Sequence, residues 1–575
     1  MKANRLSPLT AAAWILLAAV SILKLIYSLS LELHPDEAYY WEWSRHLDWG
    51  YYDQGPGTAY YIRFFTLIFG DTLFALKFAA AFAGFLGHGA LYLTARRLIS
   101  EGASFAFLVC TLLIPGFFGG SLLIMHDSVL VIFFALALLF SVRWIQTRRT
   151  LDLALLFAFI ALGFLGKHTM VFFALGLVLW MIVSPKYWAE LRKPALYVCM
   201  ALAAVLSMPV VIWNLQHNWD GIGAIVNLRS SGGAHADKAT TGAYLAGQSF
   251  LFSPIWLFAF VAMGLVALVR KVKSAAAARK AGTSVLAALR FPDQPAHRLV
   301  WIVAWILPLF FLFMSARKEV QPNWPFASYG PMMLALFLSG AHLSRSGRSM
   351  LAGGAVAAIV INTLFLLPAV LMMLVKQVRP SDQAAIARAV PQMRLAGYKD
   401  VVMAVEEQRK KTDPTAQLMT NRYQDAAIAA FHLPGQPHVG SLNILQRNQY
   451  NYWPSVEKNR NYFVFIVQEN TCEKAMFFFQ PVLTYMFEEV TAFPEQEILK
   501  DGVPVKRYQT WYVKNFRRDW KQYFQYYMLG AAIFEFMPNL RGYGTDVTSA
   551  DSMGKLSDFM TDSYFSRRGN VKCEF

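Results

Sequence analysis

Carboxylates crowd one short polar stretch of this chain. Between Leu33 and Arg63 the sequence reads LHPDEAYYWEWSRHLDWGYYDQGPGTAYYIR, which puts Asp36, Glu37, Asp48 and Asp53 among tyrosines, tryptophans and two prolines, directly after a long apolar run. Acidic groups beside a bilayer are costly unless they have partners or a task, so these residues mark the stretch as a candidate site. The plainer alternative is a solvated amphipathic helix lying on the membrane surface.

In HPDEAYYWEW, Pro35 suits the first turn of a helix, which puts Asp36 and Glu37 at its positive end and favours their ionised forms. A carboxylate held there can take a proton from an acceptor hydroxyl as a general base. Capping would account for one acidic residue well and for two less well. Asp53, in YYDQGPG, precedes a stiff Gly-Pro-Gly turn and reads either as a ligand for a metal, a sugar or a neighbouring loop, or as a turn-initiating Asp.

Three further places extend the set. His126-Asp127 opens an apolar run, where Asp127 is a site residue or a helix cap. Lys167 lies between two apolar runs that form a hairpin, and at that depth it needs a carboxylate, a phosphate or a path for its stem to reach water. Arg229, Arg317 and Lys318 complete a cationic group suited to phosphate. His34, His46, His126, His168 and His217 gather in the same segments, but no pair has the spacing of a defined metal site. The residues demand no cofactor and leave a divalent metal open.

The elements that position these groups follow from composition. With 575 residues, 56% hydrophobic, 15% aromatic and only 15% charged, the chain is too apolar for one water-soluble domain and reads as a polytopic membrane protein. Its net charge of +17 falls in short segments between apolar runs, which argues for topology and against nucleic acid as a partner. Apolar runs at 9–31, 72–95, 103–122, 127–146, 151–166, 169–184, 195–213, 246–269, 299–316, 326–343 and 350–375 predict about eleven spans. The first is read as a retained helix, because it lacks a small-residue cleavage site.

With the N-terminus inside, the basic clusters at Arg96–Arg97, Arg148–Arg149, Lys186–Lys193, Arg270–Arg290 and Arg345–Arg348 fall in inner loops. Outer loops keep chiefly Arg45, Arg63, Arg229, Lys238, Arg317 and Lys318, as the positive-inside rule asks. All the candidate residues then emerge on the outer side.

Residues 1–378 are thus expected to form a transmembrane catalytic domain with outer-face loops. From Arg379 the composition turns mixed, with helical patterns over 383–396 and 398–412 and a buried-strand pattern at 462–467. That predicts a C-terminal α/β soluble domain over 379–541, outside the membrane, and a loosely ordered tail over 542–575. Cys472 and Cys573 can pair if that part faces an oxidising compartment.

In order, HPDEAYYW, YYDQGPG, the His-Asp before the fourth span, GKHT, WNLQHNW and RKEVQPNWPFASY together resemble the bacterial branch of the dolichyl-phosphate-mannose–protein mannosyltransferase superfamily. That branch includes the aminoarabinose transferases of lipid A and the galacturonosyl transferases of lipopolysaccharide core. The resemblance covers roughly residues 1 to 375, and more weakly NRYQDAAIAAFHLPGQPHVGSLN and RNQYNYW beyond them.

The resemblance implies a GT-C glycosyltransferase that uses a polyprenyl-phosphate sugar at the outer face of the bacterial inner membrane, with a lipid, lipopolysaccharide or other glycan as acceptor. It puts Asp36 on the acidic position that activates the acceptor, Glu37 beside it, Asp127 on a second acidic position and Lys167 on a lysine suited to the donor phosphate. Asp53 falls where relatives carry an acidic residue before a Lys-Pro-Pro or His-Pro-Pro turn. Here the turn is Gln54-Gly55-Pro56, so a basic group and one proline are lost.

Such a donor already carries its leaving group, so the protein must position two substrates, take one proton and stabilise the departing phosphate. Asp36 is then the base, and Asp127 orients either that base or the sugar. Lys167 and Arg229, with Arg317 or Lys318, hold phosphate, and Tyr39, Tyr40, Trp41 and Trp43 line the lipid or sugar groove. Two other classes share the many spans and the membrane charges: a transporter or flippase of lipid-linked sugars, and a non-catalytic assembly protein that binds the lipid carrier.

Overall fold

The computed structural model describes residues 7–227, 240–280, 294–317, 320–378, 390–442, 448–453, 457, 460–468, 480, 483–500 and 502–517. The 542–575 tail, Arg229, Lys318, Cys472 and Cys573 lie outside the described residues. Contacts divide the chain into two compact units. The first comprises Met1–Ser30, Ser44–Ile222 and Asp237–Leu366; the second comprises Leu31–Trp43, Gly223–Ala236 and Leu367–Phe575.

The first unit is helical. Seven helices among the described residues are long and apolar enough to cross a membrane, and the bent pair His168–Ile182 and Pro185–Arg192 gives up to eight. Three shorter apolar helices, Glu101–Leu113, Thr150–Gly166 and Phe326–Leu338, complete the correspondence with the apolar runs of the sequence. The helix Pro194–Gln216 turns Val198, Leu202, Val205 and Leu206 outward, a surface suited to lipid and not to water. The chain is a multi-pass membrane protein.

Several runs break where the backbone chemistry requires it. Labelled in chain order, the elements up to the site are α1 (Pro8–Ser28), α2 (Pro35–Arg45), α3 (Gly57–Phe69), α4 (Leu73–Leu98), α5 (Glu101–Leu113), α6 (Pro115–Gly120), α7 (His126–Thr147) and α8 (Thr150–Gly166). Run 103–122 divides into α5 and α6 at Pro115, run 350–375 divides at Pro368, and run 246–269 divides between Thr241–Phe252 and Pro254–Lys280. At the last break Ser253 takes φ 92°, and the proline after it cannot continue the ladder of the preceding helix.

α7 and α8 form the central hairpin. Leu130, Phe134, Leu138 and Val142 recur every fourth residue along α7 and are all buried, so this helix faces protein on its main stripe. The turn is made by Arg148 in the left-handed region (φ 58°), after which Thr150 starts α8. At this end Arg143 Nε lies 2.8 Å from Asp152 Oδ1, and Thr147 Oγ1 donates to Asp152 Oδ2 at 2.7 Å.

The second unit contains a mixed sheet. Strands β1 (Gln417–Thr420), β2 (Gly440–Ser441), β3 (Tyr462–Gln468), β4 (Phe487–Ala492), β5 (Gln496–Lys500) and β6 (Val503–Phe516) run in the order β2-β1-β3-β6-β4, with β5 also on β6. β1 pairs in parallel with β2 and β3, while β6 is antiparallel to β3, β4 and β5. Flanked on both sides, β3 buries Tyr462 through Val467, which is why it reads as a continuous apolar run. The helix Tyr398–Thr412 has the bounds its pattern predicts, and of 383–396 the described part contains the short helix Pro391–Leu395. Asp413, after the first of these, accepts from Thr415, Tyr512 and Asn461, and these bonds hold its carboxyl well below the usual range.

Candidate functional site

Within the first unit, Asp127 and Lys167 meet. Lys167 Nζ donates to Asp127 Oδ1 at 2.6 Å, and both side chains are largely buried, 7% and 13% exposed. Of the three ways a lysine at this depth can be satisfied, the structure uses the carboxylate. Asn323 Nδ2 donates to the other oxygen, Asp127 Oδ2, at 3.0 Å. The sequence reading passed over Asn323, and its only signal there was a place in the QPNWP motif.

The Gly-Pro-Gly turn explains how the pair is placed. A β-carbon on Gly55 would strike the carbonyl oxygen of Leu165, and one on Gly57 would lie 2.7 Å from the backbone nitrogen of Gly166. Gly166 in turn faces Val129 of α7, where a β-carbon would come within 2.7 Å of Cγ1. Two backbones therefore pack directly on each other just before Lys167, with the Val129 side chain against the second. Gln54 closes the arrangement by accepting the His168 backbone N–H on Oε1 at 3.2 Å. In place of the basic side chain that the resemblance implies, this chain has a buried amide that fixes the segment bearing Lys167. On the same side of the hairpin, His126 Nδ1 lies 2.7 Å from Thr58 Oγ1.

Asp53 is half-buried in the turn that Tyr51 N–H closes on the Gln54 carbonyl at 3.0 Å. Arg317 is exposed and lays its guanidinium over the Phe313 ring, 4.2 Å from the centroid. Neither is among the partners of the Asp127–Lys167–Asn323 group.

In the second unit the two adjacent carboxylates of α2 part company. Glu37 is fully buried and its Oε2 accepts the His34 backbone N–H at 3.1 Å, the reciprocal half of a capping box. His34 Nδ1 accepts from the Asp36 backbone N–H at 3.1 Å, so that ring nitrogen serves as the cap acceptor. Asp36 itself keeps a third of its side chain exposed, and its Oδ1 accepts from Gln424 Nε2 at 3.5 Å. Of the two, Asp36 is the carboxylate presented outward.

The aromatic residues behave differently from the groove lining expected of them. Tyr39, Trp41 and Trp43 are buried, and only Tyr40 is partly open. Tyr39 packs on Tyr423 at 4.3 Å between ring centroids, and its hydroxyl accepts the Gln449 N–H at 2.8 Å; Trp41 packs on Phe431 at 4.9 Å. Glu42, also buried, lies 3.2 Å from His438 Nδ1, a carboxylate–imidazole pair of the kind metal sites use. Gln424, Tyr423, Gln449 and His438 were not singled out from the sequence. They belong to the two downstream segments whose resemblance to the family was noted without any role.

Residues 53–213 match the family model described as dolichyl-phosphate-mannose-protein mannosyltransferase. The lipid A galacturonosyltransferase RgtD of Rhizobium johnstonii is 31% identical over 188 residues, which are 32% of this chain and 38% of that protein. The match therefore spans well under half of that relative's length. ArnT from Cupriavidus metallidurans bound to undecaprenyl phosphate shares the fold with a TM-score of 0.55 at 15% identity, over 86% of this chain and 97% of that one. These matches meet the resemblance read from the motifs, and this chain has the fold of that solved structure.

Proposed function

We propose that the protein is a membrane glycosyltransferase that moves a sugar from a polyprenyl-phosphate donor to a lipid, lipopolysaccharide or other glycan acceptor. The observation that carries this reading is the division of labour at α2: Glu37 is committed to the helix end, and Asp36 stands outward at the same positive terminus. The names of the relatives point the same way, one acting on lipid A and the other holding undecaprenyl phosphate.

In the proposed reaction the acceptor hydroxyl attacks the anomeric carbon of the donor sugar. A carbon–oxygen bond forms to the acceptor, the bond from the sugar to the phosphate breaks, and polyprenyl phosphate leaves. Asp36 takes the hydroxyl proton as general base. Lys167 meets the negative charge on the phosphate, and Arg229, Arg317 and Lys318 are assigned supporting cationic roles. Asp127 sets the place of the Lys167 ammonium. A divalent metal stays outside these assignments. We place the reaction at the outer face of the bacterial inner membrane, with the α/β domain over 379–541 on that side, because the basic loops of the sequence divide that way.

Mass spectrometry of lipids and glycans from cells carrying the wild-type gene, no gene or the Asp36→Asn variant tests the proposal. One sugar modification is expected to vanish in both the second and the third. Identical profiles in all three would overturn it.

A further inference from the structure

Asn323 is exposed, yet its turn is fixed from several directions. Trp324 N–H bonds the Gln321 carbonyl at 3.1 Å, and Phe326 N–H bonds the Asn323 carbonyl at 3.0 Å. Beneath the turn, Gln248 Nε2 donates to the Pro322 carbonyl at 2.6 Å, while its Oε1 accepts from Tyr329 at 2.8 Å. Gly247 leaves room for Pro322, since a β-carbon there would sit 2.6 Å from the proline Cβ. An exposed side chain on so constrained a backbone is aimed.

Its target is an anion with a second partner. An ionised carboxylate only accepts, so the amide nitrogen of Asn323 must face Asp127. Each Asp127 oxygen thus has its own donor: an ammonium on Oδ1 and a neutral amide on Oδ2. The ammonium has three N–H groups, and among the described residues Asp127 is its hydrogen-bond partner. A substrate phosphate that engages Lys167 competes with Asp127 for that charge. A carboxylate held by the lysine alone would then be released; one also held by an amide stays in place.

We propose that Asn323 is a positioning residue that anchors Asp127 through Oδ2 while Lys167 turns its charge to an anionic oxygen of the substrate. This rests on the reading above in which Lys167 meets the donor phosphate. Among the described residues, His126 feels the charges of Lys167 and His168, and Tyr329 feels that of Asp127.

The test uses the full chain in lipid nanodiscs with a polyprenyl-phosphate sugar. Asn323→Ala is expected to lower kcat about ten-fold with donor KM within about two-fold, whereas Asn323→Ser, which keeps a donor, retains most of the activity. Asn323→Asp removes the donor and sets a second carboxylate against Oδ2, and is expected to lower kcat at least as far as Asn323→Ala does. Wild-type kcat in the alanine or the aspartate variant overturns the inference. Isotope-edited infrared difference spectra, wild type against Asp127→Asn, follow Asp127 titration without turnover. An upward move of that midpoint in Asn323→Asp supports the anchor, and an unmoved midpoint overturns it, whether or not sugar transfer occurs. Failure of the wild type to transfer sugar, with the midpoint moved, sinks only the functional reading.

Discussion

Glu37 Oε2 accepts the backbone N–H of His34 at 3.1 Å, which ties that carboxylate to the start of the helix that presents Asp36. Two neighbouring acids should therefore fail in different ways. Asp36→Asn keeps size and polarity and is expected to reduce sugar transfer roughly 10²- to 10⁴-fold with an unchanged unfolding temperature. Glu37→Ala is expected to cost about 0.5 to 2 kcal/mol of stability by taking the capping acceptor from the His34 N–H. Transfer assays and thermal unfolding on the two purified variants check this; near-wild-type turnover in Asp36→Asn would remove the base assignment.

Lys167 is paired, so its removal has two effects. Lys167→Ala takes the cation from the proposed phosphate site and leaves the Asp127 carboxylate, only 13% exposed, with Asn323 as its remaining described partner. Donor use is expected to weaken more than acceptor use, by about ten-fold or more in donor KM. Unchanged donor dependence counts against the phosphate role.

Gly57 tests the backbone packing that places this pair. Gly57→Ala forces a β-carbon to within 2.7 Å of the Gly166 nitrogen, which cannot yield as a flexible side chain would. A loss of about 1 to 3 kcal/mol is expected, seen as a lower yield of monodisperse protein in detergent. Gly223→Ala, where a β-carbon meets nothing within 4 Å, is the control.

The second unit should be acid-sensitive through His432. Burial first, and then the charge of Lys399, push its pKa down from 6.5 to about 4. The unfolded chain therefore binds a proton that the folded one refuses between those values. The resulting stability is fully present above pH 6.5 and is lost as pH falls towards about 4, at most about 1.4 kcal/mol per pH unit. Thermal unfolding of the full chain at stepped pH should show this slope, and His432→Gln should flatten it. Equal slopes in the two proteins would exclude His432 as the source.

Local pattern carried much of this fold. The apolar runs are helical because length and composition alone make them so, and the Tyr398–Thr412 helix and the β3 strand follow from periodicity within a few residues. What stayed hidden depends on partners far along the chain. Nothing in LHPDEAYYWEW tells that Leu31–Trp43 shares a compact unit with Leu367–Phe575, or that Tyr39 is buried against Tyr423 and not open to a groove. Gln54 looked like a lost basic group because its bond to His168 spans 114 residues. Asn323 was invisible for the same reason, its partner lying 196 residues away. Residue type marked Asp36, Asp127 and Lys167, whereas pairing could be read only in three dimensions.

The α7–α8 hairpin is bolted at both ends. Asp127–Lys167 closes one end and Arg143–Asp152 the other, so slipping one helix past its neighbour by a turn, about 5.4 Å, would break both ion pairs together. Piston-like travel is thereby blocked. If Lys167 turns to a donor phosphate as proposed, Arg143–Asp152 is the pair that still holds the registry, which makes this pair of helices the ruler against which the movable parts are measured.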